Sequence, residues 1–181
     1  MTNRSFNAPA AHLVDPNAVA CLDVLGPTIQ LLTPLAADEA TPCLMRGVIP
    51  PEGIVPLHSH ADPETFILVS GDVEGLSQSA AGFVWLRMQP GDIFHVPGGA
   101  RHAFRNRSRE PAVCTIVSTT RLGRFFERIG VPLATGAGRP TPPSPERIQH
   151  FLKVADEFGY WNATPEENAQ LGLHLSPAPV R

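Results

Sequence analysis

Between residues 28 and 119, apolar and polar positions alternate in short runs broken by glycine, proline and aspartate, the pattern of half-buried strands joined by tight turns. Eight runs stand out, at 28–32, 43–49, 65–70, 73–78, 83–88, 93–96, 101–105 and 112–119. Turn signals recur every 8 to 12 residues, and Pro90-Gly91 and Pro97-Gly98-Gly99 bracket the sixth run. Strands this short and this regularly spaced predict an all-β sandwich or barrel.

After Thr120 the period changes from two to that of a helix. Leu122, Phe125, Phe126 and Ile129 fall at i, i+3, i+4 and i+7, with Thr120 placed to cap the N-terminus and Gly130 to end the helix. A Pro/Gly-rich connector covers 131–143. Ser144 and Pro145 then open a second helix with Ile148, Phe151, Leu152, Ala155 and Phe158 on one face, and Gly159 closes it. Thr164-Pro165-Glu166-Glu167 predicts a capping box for a short third helix, and the tail at 176–181 is expected to fray. At the other end, residues 1–26 either add an edge strand over 19–25, exchanged with a partner subunit, or wrap the outside.

Composition narrows the class. A chain of 181 residues suits one domain with a proper core and is short for two. Its 20 prolines fit short strands and tight turns rather than long helices. Fourteen basic against 17 acidic side chains give a formal charge of −3, which offers nothing to nucleic acid or an anionic membrane, and no helix-turn-helix or basic recognition segment is evident. Apolar runs stay well short of the roughly 18 residues a span needs, and no apolar segment follows the N-terminus, so a cytoplasmic protein with no membrane partner is expected. Cys21, Cys43 and Cys114 sit among apolar neighbours and read as buried free thiols.

The chemistry lies in His58, His60, Glu64 and the distant His102. On a strand, His58 and His60 project the same way with rings roughly 7 Å apart along the backbone, close enough to chelate one ion. Imidazole with a carboxylate suits several divalent metals and leaves positions open, which favours chemistry over stapling. Three core histidines satisfied by hydrogen bonds is the weaker alternative. Asp62 is a competing carboxylate on the other strand face, His95 is out of register, and His12, His150 and His174 have no motif around them.

The residues flanking those four complete two registered blocks. Gly53, His58, His60, Glu64 and Gly71 are followed by Gly91, Pro97, Gly99, His102 and Asn106. Together they resemble the paired motifs of the cupin superfamily, G-x(4)-HxH-x(3)-E-x(6)-G and G-x(5)-PxG-x(2)-H-x(3)-N, with the first gap one residue shorter than the usual five. The match covers about 53–106, and adjoining strands extend it to about 27–120. The aromatic helix and proline-rich segment that follow are similar to small bacterial cupins of the quercetin-dioxygenase-like type.

That resemblance implies a cupin double-stranded β-helix, or jelly-roll, barrel with a short helical C-terminal extension. The chain would divide into an N-terminal extension (1–26), the barrel (27–120) and the helical extension (121–181). It implies one divalent ion (iron, nickel, manganese, zinc or copper) on His58, His60, Glu64 and His102, with Glu64 also a catalytic general base. Phe66, Trp85 and Phe104 are expected to line a pocket for a small-molecule substrate, and the barrel to form a homodimer. The leading functional expectation is a dioxygenase-like enzyme acting on a small oxygen-rich molecule that chelates the metal. A non-catalytic binding or sensing cupin, or a metal-dependent isomerase or decarboxylase, would need the same ligands.

One consequence is testable on the sequence alone. His60→Ala should lose most bound metal with little loss of fold, because the barrel has its own apolar core. Metal content by elemental analysis, read beside circular dichroism, checks it, and wild-type metal content would sink the ligand assignment.

Overall fold

Residues 10–133 and 143–174 are described by the computed structural model. Most of the connector at 131–143, the tail at 176–181 and the first nine residues of the N-terminal extension lie outside them.

Among the described residues, twelve strands build two antiparallel sheets. In chain order they are β1 (Leu22–Asp23), β2 (Thr28–Leu31), β3 (Pro42–Ile49), β4 (Ile54–Ser59), β5 (Glu64–Ser70), β6 (Val73–Ser79), β7 (Gly82–Met88), β8 (Ile93–Val96), β9 (His102–Arg105), β10 (Ala112–Thr119), β11 (Val131–Pro132) and β12 (Trp161–Asn162). The first sheet runs β11-β1-β2-β3-β10-β5-β8 and the second β12-β4-β9-β6-β7. All eight expected runs are strands. The edge strand expected over 19–25 shrinks to β1, which pairs with β2 of its own chain and, on its other side, with β11.

Alternation in the first sheet is clean. Cys43, Met45 and Ile49 of β3, Phe66 and Leu68 of β5, and Cys114 and Ile116 of β10 all point into the space between the sheets. Val73, Met88 and Phe104 meet them from the second sheet. Met45 and Leu68 are at most 1% exposed, and each such side chain contributes about 1.5–3 kcal/mol by leaving water.

Much of the second sheet is covered on both faces, although Val84 and Leu86 of β7 stay exposed. On its outer side Leu57, Leu76 and Ala103 form a separate core with Leu173, flanked by Phe83, Trp85, Trp161 and Leu171. Trp85 therefore does not line the barrel interior as expected: it pairs with Leu76 on the outer face, under the guanidinium of Arg105, and its indole N–H donates to the Leu171 carbonyl. Alternation cannot tell inside from outside when both faces are apolar.

Helices α1 (Thr120–Ile129), α2 (Pro145–Glu157) and α3 (Pro165–Gln170) occupy the expected segments. Thr119, not Thr120, caps α1, its hydroxyl accepting from the Leu122 N–H, while Thr120 is fully buried as the first helical residue. The buried edge of α2 also differs from expectation. Ile148 and Leu152 are 38% and 50% exposed, whereas Val154 and Ala155 are buried with Phe151 and Phe158 beside them, a stripe at i, i+3, i+4 and i+7 that meets Phe125 of α1. In α3 the capping box forms as the sequence indicates, Thr164 with Glu167.

A buried amide is one of the ties that hold the C-terminal segment to the barrel. Asn168, 0% exposed, accepts from the Leu57 N–H of β4 at 2.9 Å and donates to the carbonyls of Ala163 and Thr164. Asn168→Ala strands those groups and should cost about 2–4 kcal/mol. Denaturant unfolding measures it, and a loss below about 0.5 kcal/mol would mean that water or a backbone shift replaces the amide.

Candidate metal centre

An irregularity in β4 aims the first ligand. Val55 pairs with Phe104 of β9, but His58 pairs with His102, so β4 carries one extra residue over that stretch. Pro56 sits in this bulge, where its missing N–H costs no ladder bond. The extra residue turns Leu57 to the outer core and His58 to the inner side, directly opposite His102. This also explains why 54–59, absent from the eight runs of simple alternation, is nevertheless a strand.

His60 follows β4 and Glu64 opens β5. The Pro97-Gly98-Gly99 turn lies against this loop, with the Gly99 N–H donating to the His60 carbonyl at 2.6 Å. A Cβ on Gly98 would meet the Ala61 carbonyl oxygen at 2.3 Å, and Gly99 has φ +82°, so both positions require glycine. Asn106 locks the far end of β9, its amide donating to Ile49 and Glu110 carbonyls.

The structure brings all four expected ligands together. One nitrogen from each of His58, His60 and His102 and one oxygen of Glu64 lie within 4.8 Å of one another. His60, Glu64 and His102 are 5%, 4% and 2% exposed, while His58 is half-buried. Each imidazole Nδ1 faces a backbone carbonyl: His58 that of Pro56, His60 that of Asp62 and His102 that of Ala100, at 2.8–3.0 Å. Those bonds place the hydrogen on Nδ1 and leave Nε2 as the free lone pair of a neutral ring.

Glu64 Oε2 stands 3.2 Å from Nε2 of His60 and 3.0 Å from Nε2 of His102. A carboxylate oxygen facing two nitrogen lone pairs is repulsive unless positive charge lies between them, as protons or as an ion. Donors about 2.1 Å from an ion stand roughly 3 Å apart at right angles, so the donor set and its spacing fit a divalent metal. The electrostatics agree. Burial and the neighbouring His102 and His60 press the His58 pKa down to about 3. Burial opposes ionisation of Glu64 and protonation of His60, but their mutual hydrogen bond and charge win, holding the Glu64 carboxyl below its usual range and raising His60.

Of the expected pocket residues, Phe66 and Phe104 lie beside the centre. Their ring centroids lie 4.4 Å apart with the planes tilted by 52°, and the Phe104 centroid lies 6.1 Å from that of His102. Trp85 is on the opposite face, as described above. His95 bonds Thr65 on the exposed side and stays outside the site. Asp62 is no competing ligand: its carboxylate turns away to Thr119, Arg121 and Tyr160. Tyr160 and Asn162, which no motif marks, also stand beside the ligands. The Tyr160 ring lies 5.0 Å from that of His60, and Asn162 pairs with His58 across β12 and β4, so it faces the same side.

Acid should destabilise the metal-free protein in a defined window. Glu64 lends stability that is full above its unfolded value of 4.5 and lost as pH falls towards its depressed folded value. His58 stays neutral in the fold down to about 3 while the unfolded chain takes its proton near 6.5, so it too favours unfolding on acidification. The raised His60 acts on the other side of 6.5, its contribution being lost only as pH rises. Denaturation midpoints in chelator should therefore fall from pH 6.5 to 3, and a flat profile would contradict a His58 that stays neutral in the fold.

Residues 45–118 match the family model described as Cupin domain. No curated relative matches the sequence. Among solved structures, a predicted oxalate decarboxylase from Thermotoga maritima is 16% identical, with a TM-score of 0.52 over 60% of this chain and 98% of that one. An RmlC-like cupin from Shewanella frigidimarina is 14% identical, with a TM-score of 0.50 over 61% and 92%. A Cupin 2 conserved barrel domain protein from Salinispora arenicola is 24% identical, at 0.48 over 62% and 89%. With its two-sheet barrel and both motif blocks inside the matched region or at its edge, the chain carries a domain of the cupin superfamily.

Proposed function

We propose that this chain is a metal-dependent enzyme of dioxygenase type acting on a small oxygen-rich molecule. The observation that carries the reading is the facing of Glu64 Oε2 and two Nε2 atoms whose rings already spend their Nδ1 hydrogens on backbone carbonyls. His58, His60, His102 and Glu64 would hold one divalent ion, which when bound supplies Lewis acidity towards adjacent hydroxyl, enol or keto oxygens and, for a redox-capable metal, access to dioxygen.

The chain's own groups then divide the work. His102, His60 and Glu64 are nearly sealed from water, so the approach for an organic ligand is on the side of half-buried His58. Asn162 stands there with an amide that has no hydrogen-bond partner among the described residues, suited to a ligand hydroxyl or carbonyl. Phe66 and Phe104 form an apolar wall that lowers the local dielectric. Glu64, its carboxylate held ionised beside two imidazoles, is placed to take a proton from a bound hydroxyl. The reading includes a homodimer in the cytoplasm. No described helix is long and apolar enough to cross a membrane.

Protein purified without chelators or affinity metals should contain near one equivalent of a redox-capable metal. After reconstitution with iron, nickel, manganese or copper it should consume oxygen in the presence of a diol or flavonol. Carbon dioxide release from oxalate without oxygen uptake would favour a decarboxylase, the activity predicted for the Thermotoga protein. Metal without turnover of either kind would leave a binding module.

A further inference from the structure

The three imidazoles are aimed in two different ways. His58 and His102 donate backwards, to Pro56 within β4 and to Ala100 in the turn before β9. That turn is itself closed by the Ala100 N–H on the Pro97 carbonyl. His60 donates forwards, to the carbonyl of Asp62 in the 60–63 loop between β4 and β5, which no strand ladder holds. Whatever fixes Asp62 therefore fixes His60.

Asp62 is 5% exposed, and three donors converge on its carboxylate. The Thr119 hydroxyl at the end of β10 reaches Oδ1, while Arg121 Nη1 and the Tyr160 hydroxyl reach Oδ2 at 2.8 and 2.7 Å. Arg121 also bonds the Tyr160 hydroxyl at 3.3 Å and the Phe158 carbonyl, fastening the C-terminal segment to the same point. Tyr160 lies 98 residues beyond Asp62 and packs its ring on His60 as well. A carboxylate whose only task was to anchor a surface loop would not need a donor from so far along the chain.

The geometry points to Tyr160 as a positioning residue for the metal centre. Through the Asp62 carboxylate it holds the carbonyl that aims His60, which makes the C-terminal segment a working part of the site. This rests on the reading that His58, His60, Glu64 and His102 hold an ion. The roles are distinct: His60 touches the ion, Asp62 orients His60, and Tyr160 with Arg121 and Thr119 keeps Asp62 still.

Tyr160→Phe deletes only the hydroxyl and keeps the ring in its nest of Phe125 and Phe158, so the fold survives. Titrated with Co²⁺ alone, this variant should bind about tenfold more weakly than wild type and shift the visible cobalt band. Asp62→Asn should lose at least as much. In metal-free protein, the His60 Nδ1–H resonance should show a slowly exchanging proton held on the Asp62 carbonyl in wild type and faster exchange in the variants. Arg124→Ala, which removes contacts to Glu39 and Ala36 elsewhere on α1, should match wild type in all three readouts. Unchanged affinity, band and resonances in Tyr160→Phe would overturn the positioning role and leave the metal reading standing. Failure of the wild type to bind Co²⁺ would instead overturn the metal reading, and the resonances of His60 would then decide the positioning role by themselves.

Discussion

One carboxylate oxygen placed against two imidazole nitrogens is the constraint that the rest of this molecule serves. Glu64 Oε2 and the Nε2 atoms of His60 and His102 can sit this close only around positive charge, and they come from β5, the loop before it and β9. β5 belongs to one sheet and β9 to the other. Bringing them together takes two sheets packed face to face, a bulge that turns His58 inwards, and a two-glycine turn laid flat on the His60–Ala61 backbone. The fold can thus be understood as the means of holding four like-minded donors against their own repulsion.

Much of this was legible from residue order. The eight runs, the three helices and the spacing of the four donors all follow from periodicity and turn chemistry, because each is a local property. Three features were not. The bulge at Pro56 breaks the alternation of β4, so its run fails a simple two-residue test although it bears a ligand. Trp85 stands in a strand with apolar residues on both faces, so alternation alone does not say which face turns inward. Tyr160, the chain's single tyrosine, meets Asp62 across 98 residues, and nothing local to either announces it. The register of α2 was misjudged for a related reason: both candidate stripes are apolar, and only the position of Phe125 decides between them.

Asp62 shows how one residue can carry two duties on different atoms. Its carbonyl belongs to the donor set's orientation and its carboxylate to the junction of β10, α1 and the C-terminal segment. Burial alone would oppose ionisation, yet the hydrogen bonds from Thr119 and Tyr160 and the Arg121 charge hold the group below its usual range. Shared among three partners, that negative charge still helps to raise His60, but it acts there after the closer charge of Glu64.

The covering of the second sheet bears on how this protein can be cut. The family match ends at residue 118, but β12 occupies the free edge of β4, and Leu173 with Trp161 shields Leu57, Leu76 and Ala103. A fragment trimmed to the matched barrel would bare a greasy sheet face and an unpaired strand edge at the same place, the combination that drives intermolecular β-pairing and insoluble expression. The stretch of chain that keeps this sheet face covered is therefore longer than the matched segment and runs past α3 to Leu173.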